Sequence, residues 1–368
     1  MKYFPCVFRN LRSFLCLALM LLVVSPVYSQ WKFEKRIDSL FAAFNHPDRP
    51  GASLMVIRTG KILLAKGYGM ANIEARQLAT PSTNYRLASV TKQFTATAVM
   101  ILADRKKLRF DNVLTDFFPD FPAYGKKITV RNLLQHTSGL IEYENAMPET
   151  TTVQLLDKDV LALMKKQDST YFEPGTKYLY SNSGYALLAL IVEKQSGMTF
   201  AKFLNRNIFK PLKMDATVAF ENGISKVENR AYGYSPADSL HPGIFKQTDQ
   251  SMTSAVLGDG GIYSSVMDLA KWDKALYNAS LVRKKTQLMA FTPNILPDGT
   301  NSEYGFGWRI SDYRGKLCHH HSGSTIGFRN EIQRFPQQKT TVIILTNRDN
   351  AVPKEIAEKI ADIVIFGK

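Results

Sequence analysis

The sequence predicts a mixed α/β fold of the α+β type: an antiparallel sheet built from both chain ends, covered by terminal helices, with a mainly helical region inserted between its halves. Three observations carry this expectation. The β-rich runs fall near the two ends of the chain, within residues 52–69 and 306–347. Amphipathic helical spacing flanks those runs at the outer ends, and residues ~90 to ~250 between them carry helical periodicity. The sheet region is therefore expected over about residues 30–85 and 255–368, and the helical region over about 86–254, in one domain spanning 30–368. A cleft between the two regions, crossed twice by the chain, is a natural place for a site.

The leader comes first. Lys2, Arg9 and Arg12 precede an unbroken apolar run from Phe14 to Val24, and Ser25-Pro26 breaks it ahead of Val27 and Ser29. This is the pattern of a secretory signal peptide over residues 1–29, cut before Gln30, and the run is shorter than the ~20 residues of a membrane span. A periplasmic or secreted protein is expected. Phe33, Ile37, Leu40, Phe41 and Phe44 then mark an amphipathic helix over Trp31–Phe44, closed by Asn45-His46-Pro47. Ala52–Arg58 and Ile62–Gly69 flank Thr59-Gly60-Lys61 as a hairpin.

Beyond Tyr85 the character changes. A helix begins near Ser89 and continues through Phe94–Leu102, Asp111–Pro122 is a loop, and Thr129 is placed to cap a helix over Val130–Gln135. Further helices are expected at Thr152–Lys166, Gly184–Ser196 and Phe200–Ile208, and strands at Phe306–Ile310, Lys316–His321, Phe328–Phe335 and Thr340–Asn347. Pro353 opens a last amphipathic helix through Ile356, Ile360 and Ile363.

Composition excludes several functions. Of 368 residues 45% are hydrophobic, enough for a substantial core. Loss of the leader removes Cys6 and Cys16 and leaves Cys318 alone, so no intrachain disulfide is expected and Cys318 should pack as a small apolar group. The formal charge is +15, lowered by three when Lys2, Arg9 and Arg12 depart. No helix or aromatic stripe concentrates the basic residues, so no nucleic-acid partner is expected; weak attraction to anionic cell-envelope polymers is.

The chemistry centres on Ser89-Val-Thr-Lys92. At a helix start, three residues apart, the two side chains share a face: Ser89 sits at the positive end of the helix dipole, and Lys92 can take or hold its proton. Ser29-Gln-Trp-Lys32 has the same spacing, but the leader cut falls inside it. Tyr180-Ser-Asn182 follows the turn-forming Glu173-Pro-Gly175 and precedes an apolar helix, which can hold Tyr180 and Asn182 toward a cleft. Tyr143-Glu-Asn145 repeats the triplet in an acidic, loosely patterned loop and is the weaker candidate. His321-Ser322-Gly323-Ser324 ends a strand: Gly323 permits close backbone approach, the Ser324 N–H can serve an oxyanion, and His321 can donate to a substrate carboxylate or carry charge there. On a strand His319 and His321 face away from His320, so the three cannot share one ion; neither a metal nor a cofactor is expected.

Together Ser89-x-x-Lys92, Tyr180-x-Asn182 and His321-Ser-Gly323 resemble the motifs of the serine β-lactamase and penicillin-binding-protein superfamily, in its class C β-lactamase and D,D-peptidase branch. Leu134-Gln-His136-Thr-Ser-Gly-Leu140, Glu173-Pro-Gly175 and Gly260-Gly-Ile-Tyr-Ser264 extend the likeness along most of the chain. The resemblance implies a β-lactamase/transpeptidase-like fold and an exported serine hydrolase, with Ser89 as acylated nucleophile and Lys92 as its proton partner. It implies Tyr180 as base and acid, Asn182 on the substrate amide, an oxyanion hole from the Ser89 and Ser324 N–H groups, and His321 where class C enzymes carry lysine. Peptides ending in D-amino acids, β-lactams and small esters all suit that machinery. An amide hydrolase of the D,D-peptidase or β-lactamase type is the first reading, an esterase or a non-turnover penicillin-binding sensor the alternative, and the oligomeric state is open.

Overall fold

The computed structural model of the protein describes residues 33–238, 241 and 243–367, and the leader expected over residues 1–29 lies outside them. A six-stranded antiparallel sheet forms the centre: β1 (Ala52–Arg58), β2 (Lys61–Tyr68), β3 (Arg309–Tyr313), β4 (Lys316–Thr325), β5 (Phe328–Phe335) and β6 (Thr340–Thr346), in the order β3-β4-β5-β6-β1-β2. The two ends of the chain meet where β1 pairs with β6, from Ala52 opposite Thr346 to Arg58 opposite Thr340. Among the longer helices are α1 (residues 33–40), α2 (Lys92–Asp104), α3 (Asn182–Ser196), α4 (Val266–Asn278) and α5 (Pro353–Phe366).

Period-2 alternation decides which core each strand residue joins. Leu54, Val56, Val342 and Ile344 pack with Ile37 and Phe41 near α1 and with Ile356 and Ile360 of α5. Met55, Ile57, Ile343 and Leu345 face the other way, into the larger core with Phe94 of α2 and Trp272 of α4. Helix α2 is buried continuously from Lys92 to Leu102, so it forms the axis of the helical region and holds a lysine inside it.

Several boundaries differ from the sequence expectation for identifiable reasons. The strand expected at Phe306–Ile310 starts at Arg309, because Gly307 has φ +74° and lies against the backbone of Lys92 and Gln93, where a side chain would clash. Strand β4 runs on to Thr325, so His321–Ser324 lie within the strand rather than at its end. The helix expected over Thr152–Lys166 is confined to Asp157–Lys165, and that over Phe200–Ile208 stops at Leu204 and continues as a π-type turn to Phe209. Thr129 caps Val130–Leu134 as expected, its side chain accepting the Asn132 N–H. Tyr143 opens a short helix, Tyr143–Ala146, and is buried.

Candidate active site

Ser89 sits in a 3₁₀ turn, Ala88–Thr91, that runs directly into α2. Ala88 has φ +49°, a left-handed backbone unusual for a residue with a side chain, and such local strain is concentrated at functional sites. The turn is held by its neighbours. A Cβ on Gly323 would stand 2.1 Å from the Leu87 carbonyl oxygen, so glycine is what lets β4 touch the segment before Ser89. Asn330 of β5 ties the same segment down by donating to the Arg86 carbonyl at 2.8 Å.

Lys92 is fully buried and its Nζ uses three donors: to Ser89 Oγ at 3.2 Å, Asn182 Oδ1 at 2.8 Å and the Asp259 carbonyl at 3.0 Å. The Tyr180 ring stands 4.8 Å from the same nitrogen. The structure thus brings Ser89, Lys92, Tyr180 and Asn182 around one atom. Asn182 is positioned as the first residue of α3, where Ser181 caps the helix by accepting the Gly184 N–H at 3.1 Å. Its side-chain amide donates to Glu144 at 2.9 Å and its backbone N–H to Glu142 at 2.8 Å. The Tyr180 hydroxyl is buried and has no hydrogen-bond partner among the described residues, which leaves its proton and lone pairs for a bound molecule.

Of the four residues from His321 to Ser324, two differ from the geometry expected. His321 is buried, and its Nδ1 lies 2.7 Å from the Ser322 carbonyl oxygen, which can only accept; Nδ1 therefore carries the proton and Nε2 accepts from the Tyr304 hydroxyl at 2.9 Å. Burial, with Lys92 and Arg309 nearby, holds its pKa well below 6.5. His321 is neutral at physiological pH, contrary to the expectation that it carries charge for a carboxylate. Ser322 turns to the opposite face of the sheet, where its hydroxyl donates to the buried Glu331. Gly323 and Ser324 stay on the site side, and Ser324 lines a cavity of about 70 Å³ with Ser89, Tyr143, Glu144, Asn182 and Asp259. The expected alternation of the histidines is present: His319 stacks on Phe291 at 4.4 Å while His320 faces Glu331.

Sequence reasoning missed three contributors. Arg309, at the start of β3, places its guanidinium 5.5 Å from the Tyr180 ring centre and 5.8 Å from that of Tyr304, and is the cation beside the tyrosines. Its one sequence signal is a basic residue ending the aromatic stretch Phe306-Gly-Trp-Arg309. Asp259 accepts from the Tyr143 hydroxyl at 3.0 Å and lies just before the glycine pair at Gly260. Glu142 is half-buried and accepts the Asn182 N–H.

Burial pushes the acids of this region up: Asp259 to about 6 and Glu142 to about 7. The folded state therefore favours their protonated forms. For Glu142 the stabilising contribution is complete below pH ~4.3 and is lost as pH rises through about 7. Glu142→Gln, which keeps an acceptor for the Asn182 N–H, is expected to flatten the fall in Tm between pH 4.5 and 7. Thermal melts of the two proteins across that range check it; parallel profiles rule it out.

A family model described as Beta-lactamase matches residues 37–365. The chain is 30% identical over 350 residues to Penicillin-binding protein 4* of Bacillus subtilis (strain 168), a match covering 91% of this chain and 76% of that protein. It is 28% identical over 304 residues to a D-aminopeptidase of Brucella ovis, covering 81% of this chain and 56%, or about half, of the relative. Among solved structures, the octameric penicillin-binding protein homologue from Pyrococcus abyssi superposes with a TM-score of 0.77 at 30% identity, over 92% of this chain and 77% of that one. The D-amino acid amidase from Ochrobactrum anthropi SV3 shares the fold, with a TM-score of 0.75 at 22% identity over 92% and 100% of the two chains. With the family match running from α1 to α5 and the sheet and helices arranged as in these relatives, the chain belongs to the beta-lactamase family, within the β-lactamase/transpeptidase-like superfamily.

Proposed function

We propose that this protein is an exported serine hydrolase that cleaves the amide bond of short peptides ending in a D-amino acid, through an acyl-enzyme on Ser89. The observation that carries the reading is the shared position of Lys92 Nζ, hydrogen-bonded to Ser89 Oγ and Asn182 Oδ1 and facing the Tyr180 ring. In the proposed sequence, Ser89 Oγ attacks the scissile carbonyl carbon and its proton passes to the Lys92–Tyr180 pair. The N–H groups of Ser89 and Ser324 hold the oxyanion, and Tyr180 returns the proton to the leaving amine as the C–N bond breaks. Water then attacks the acyl carbon while giving a proton to the same pair, and the pair passes that proton to Ser89 Oγ as the ester C–O bond breaks and the acid leaves. Export rests on the leader expected over residues 1–29.

In this reading the leaving group lies on the Tyr180 side, where Arg309 supplies the cation that the neutral His321 does not. A C-terminal carboxylate fits there. Arg309→Gln is expected to raise KM for an acyl-D-Ala-D-Ala peptide by about 10–100-fold, the worth of one charge-assisted hydrogen bond, and to leave the C-terminal amide of the same peptide unchanged. Equal effects on both would remove Arg309 from the carboxylate.

The acyl side supports a second reading. Glu144 and Asp259 line the small cavity at Ser89, a setting for a free ammonium, and one relative is named a D-aminopeptidase. The test is a panel on the purified protein lacking residues 1–29: acyl-D-Ala-D-Ala, unblocked D-alanine anilide, a fluorescent penicillin and p-nitrophenyl acetate. Turnover of the first with transient penicillin labelling supports the peptidase reading. Turnover of the anilide alone supports the aminopeptidase reading, and ester turnover alone replaces both with an esterase.

A further inference from the structure

The segment His136–Gly139 acts as a template for the loop that carries Tyr180. The Gly139 carbonyl accepts the Tyr171 N–H at 2.8 Å, the Thr137 carbonyl the Gly175 N–H at 2.7 Å, and the His136 carbonyl the Leu179 N–H at 2.9 Å. The last rung is made by a side chain: His136 Nδ1 accepts the Ser181 N–H at 2.9 Å. One residue therefore grips the backbone on both sides of Tyr180. Its imidazole also lies against the Tyr180 ring, centres 4.2 Å apart and planes tilted by 32°.

His136 has the backbone for this double grip. Its φ is +56°, in the left-handed region that few residues with long side chains adopt, and this conformation sends its carbonyl and its ring toward the same loop. The ring is itself fixed. It is fully buried between Tyr185 and Tyr304, at 5.0 Å and 4.5 Å between centres, and the Tyr185 hydroxyl donates to the Leu134 carbonyl two residues before His136. Because Nδ1 must accept from Ser181, the proton sits on Nε2, which has no partner among the described residues. A charged ring, with a proton on both nitrogens, would set a donor against the Ser181 N–H. Burial and the neighbouring Lys92 keep the ring neutral.

We propose that His136 is a positioning residue for Tyr180: its Nδ1 and carbonyl fix the Leu179–Ser181 backbone, and its ring fixes the phenol over Lys92. The proposal rests on the assignment of Tyr180 as the acid–base group. A substitution at His136 should then act on turnover and only through Tyr180.

The test compares His136→Asn with His136→Leu, alone and combined with Tyr180→Phe, on p-nitrophenyl acetate at a temperature where circular dichroism shows every protein folded. Asparagine places an oxygen near the position of Nδ1 and tolerates the left-handed backbone, whereas leucine supplies bulk and no acceptor. His136→Leu is expected to lower kcat by about 30-fold or more with KM within about twofold, and His136→Asn to stay within about threefold of the parent, as loss of placement rather than of a reacting group predicts. In the Tyr180→Phe background His136→Leu should add less than about twofold. If leucine prevents folding, His136→Ser, too short to reach the Ser181 N–H, takes its place in the same cycle. Equal losses in the asparagine and leucine proteins, or losses that multiply with Tyr180→Phe, overturn the positioning role. Full activity of Tyr180→Phe overturns instead the assignment of Tyr180, so the two failures are distinguishable.

Discussion

Ser89→Ala protein is expected to fold with the parent's Tm within a few degrees and to lose about 10⁴-fold or more of kcat/KM, with no labelling by fluorescent penicillin. Stability should survive because Lys92 keeps two of its three acceptors, Asn182 Oδ1 and the Asp259 carbonyl, so the buried nitrogen is not stranded. Activity should not survive, because an acyl-enzyme route without its nucleophile retains only what the oxyanion hole and binding supply. The decisive measurement is intact-protein mass after exposure to penicillin. An adduct on Ser89→Ala protein would sink the nucleophile assignment.

Tyr180→Phe against Tyr143→Phe has the next largest expected effect and separates two tyrosines that both reach the site. The Tyr180 hydroxyl has no partner among the described residues, so removing it should cost little stability, and kcat should fall by about 10²–10⁴-fold as for a lost general acid–base group. The Tyr143 hydroxyl donates to the buried Asp259 at 3.0 Å. Its loss leaves that carboxylate short of a donor and should cost about 1–3 kcal/mol of stability, with kcat changed less than about tenfold. Denaturant melts and kcat on the same preparations give both readouts. A reversed pattern would move the acid–base role to Tyr143.

The fold class was legible because strand and helix periodicities are local properties of the chain. Ala52–Arg58 and Phe328–Phe335 form strands over the same bounds as the sequence predicts, and β1 and β5 are buried along nearly their whole length. The misplacement of Phe306–Ile310 has the opposite cause. Phe306 and Trp308 are apolar because they join the larger core, and the backbone contact at Gly307 that delays the strand is made with residues more than two hundred positions earlier in the chain.

The same division holds at the site. The spacing of Ser89 and Lys92 fixes them on one helical turn, and the sequence alone also marks Tyr180-x-Asn182 as a rigid turn before a helix, because caps, turns and helical phase depend on neighbours within a few residues. What the sequence by itself determined is thus the fold class, the family resemblance and the set of candidate side chains that the fold brings around Lys92. Only the tertiary structure decided their states. It neutralised His321 by burying it against Tyr304, turned Ser322 toward Glu331, brought Arg309 up to Tyr180, and set His136 behind the loop. Charge state and orientation follow from desolvation and from partners far apart in sequence, and neither is written in the order of neighbouring residues.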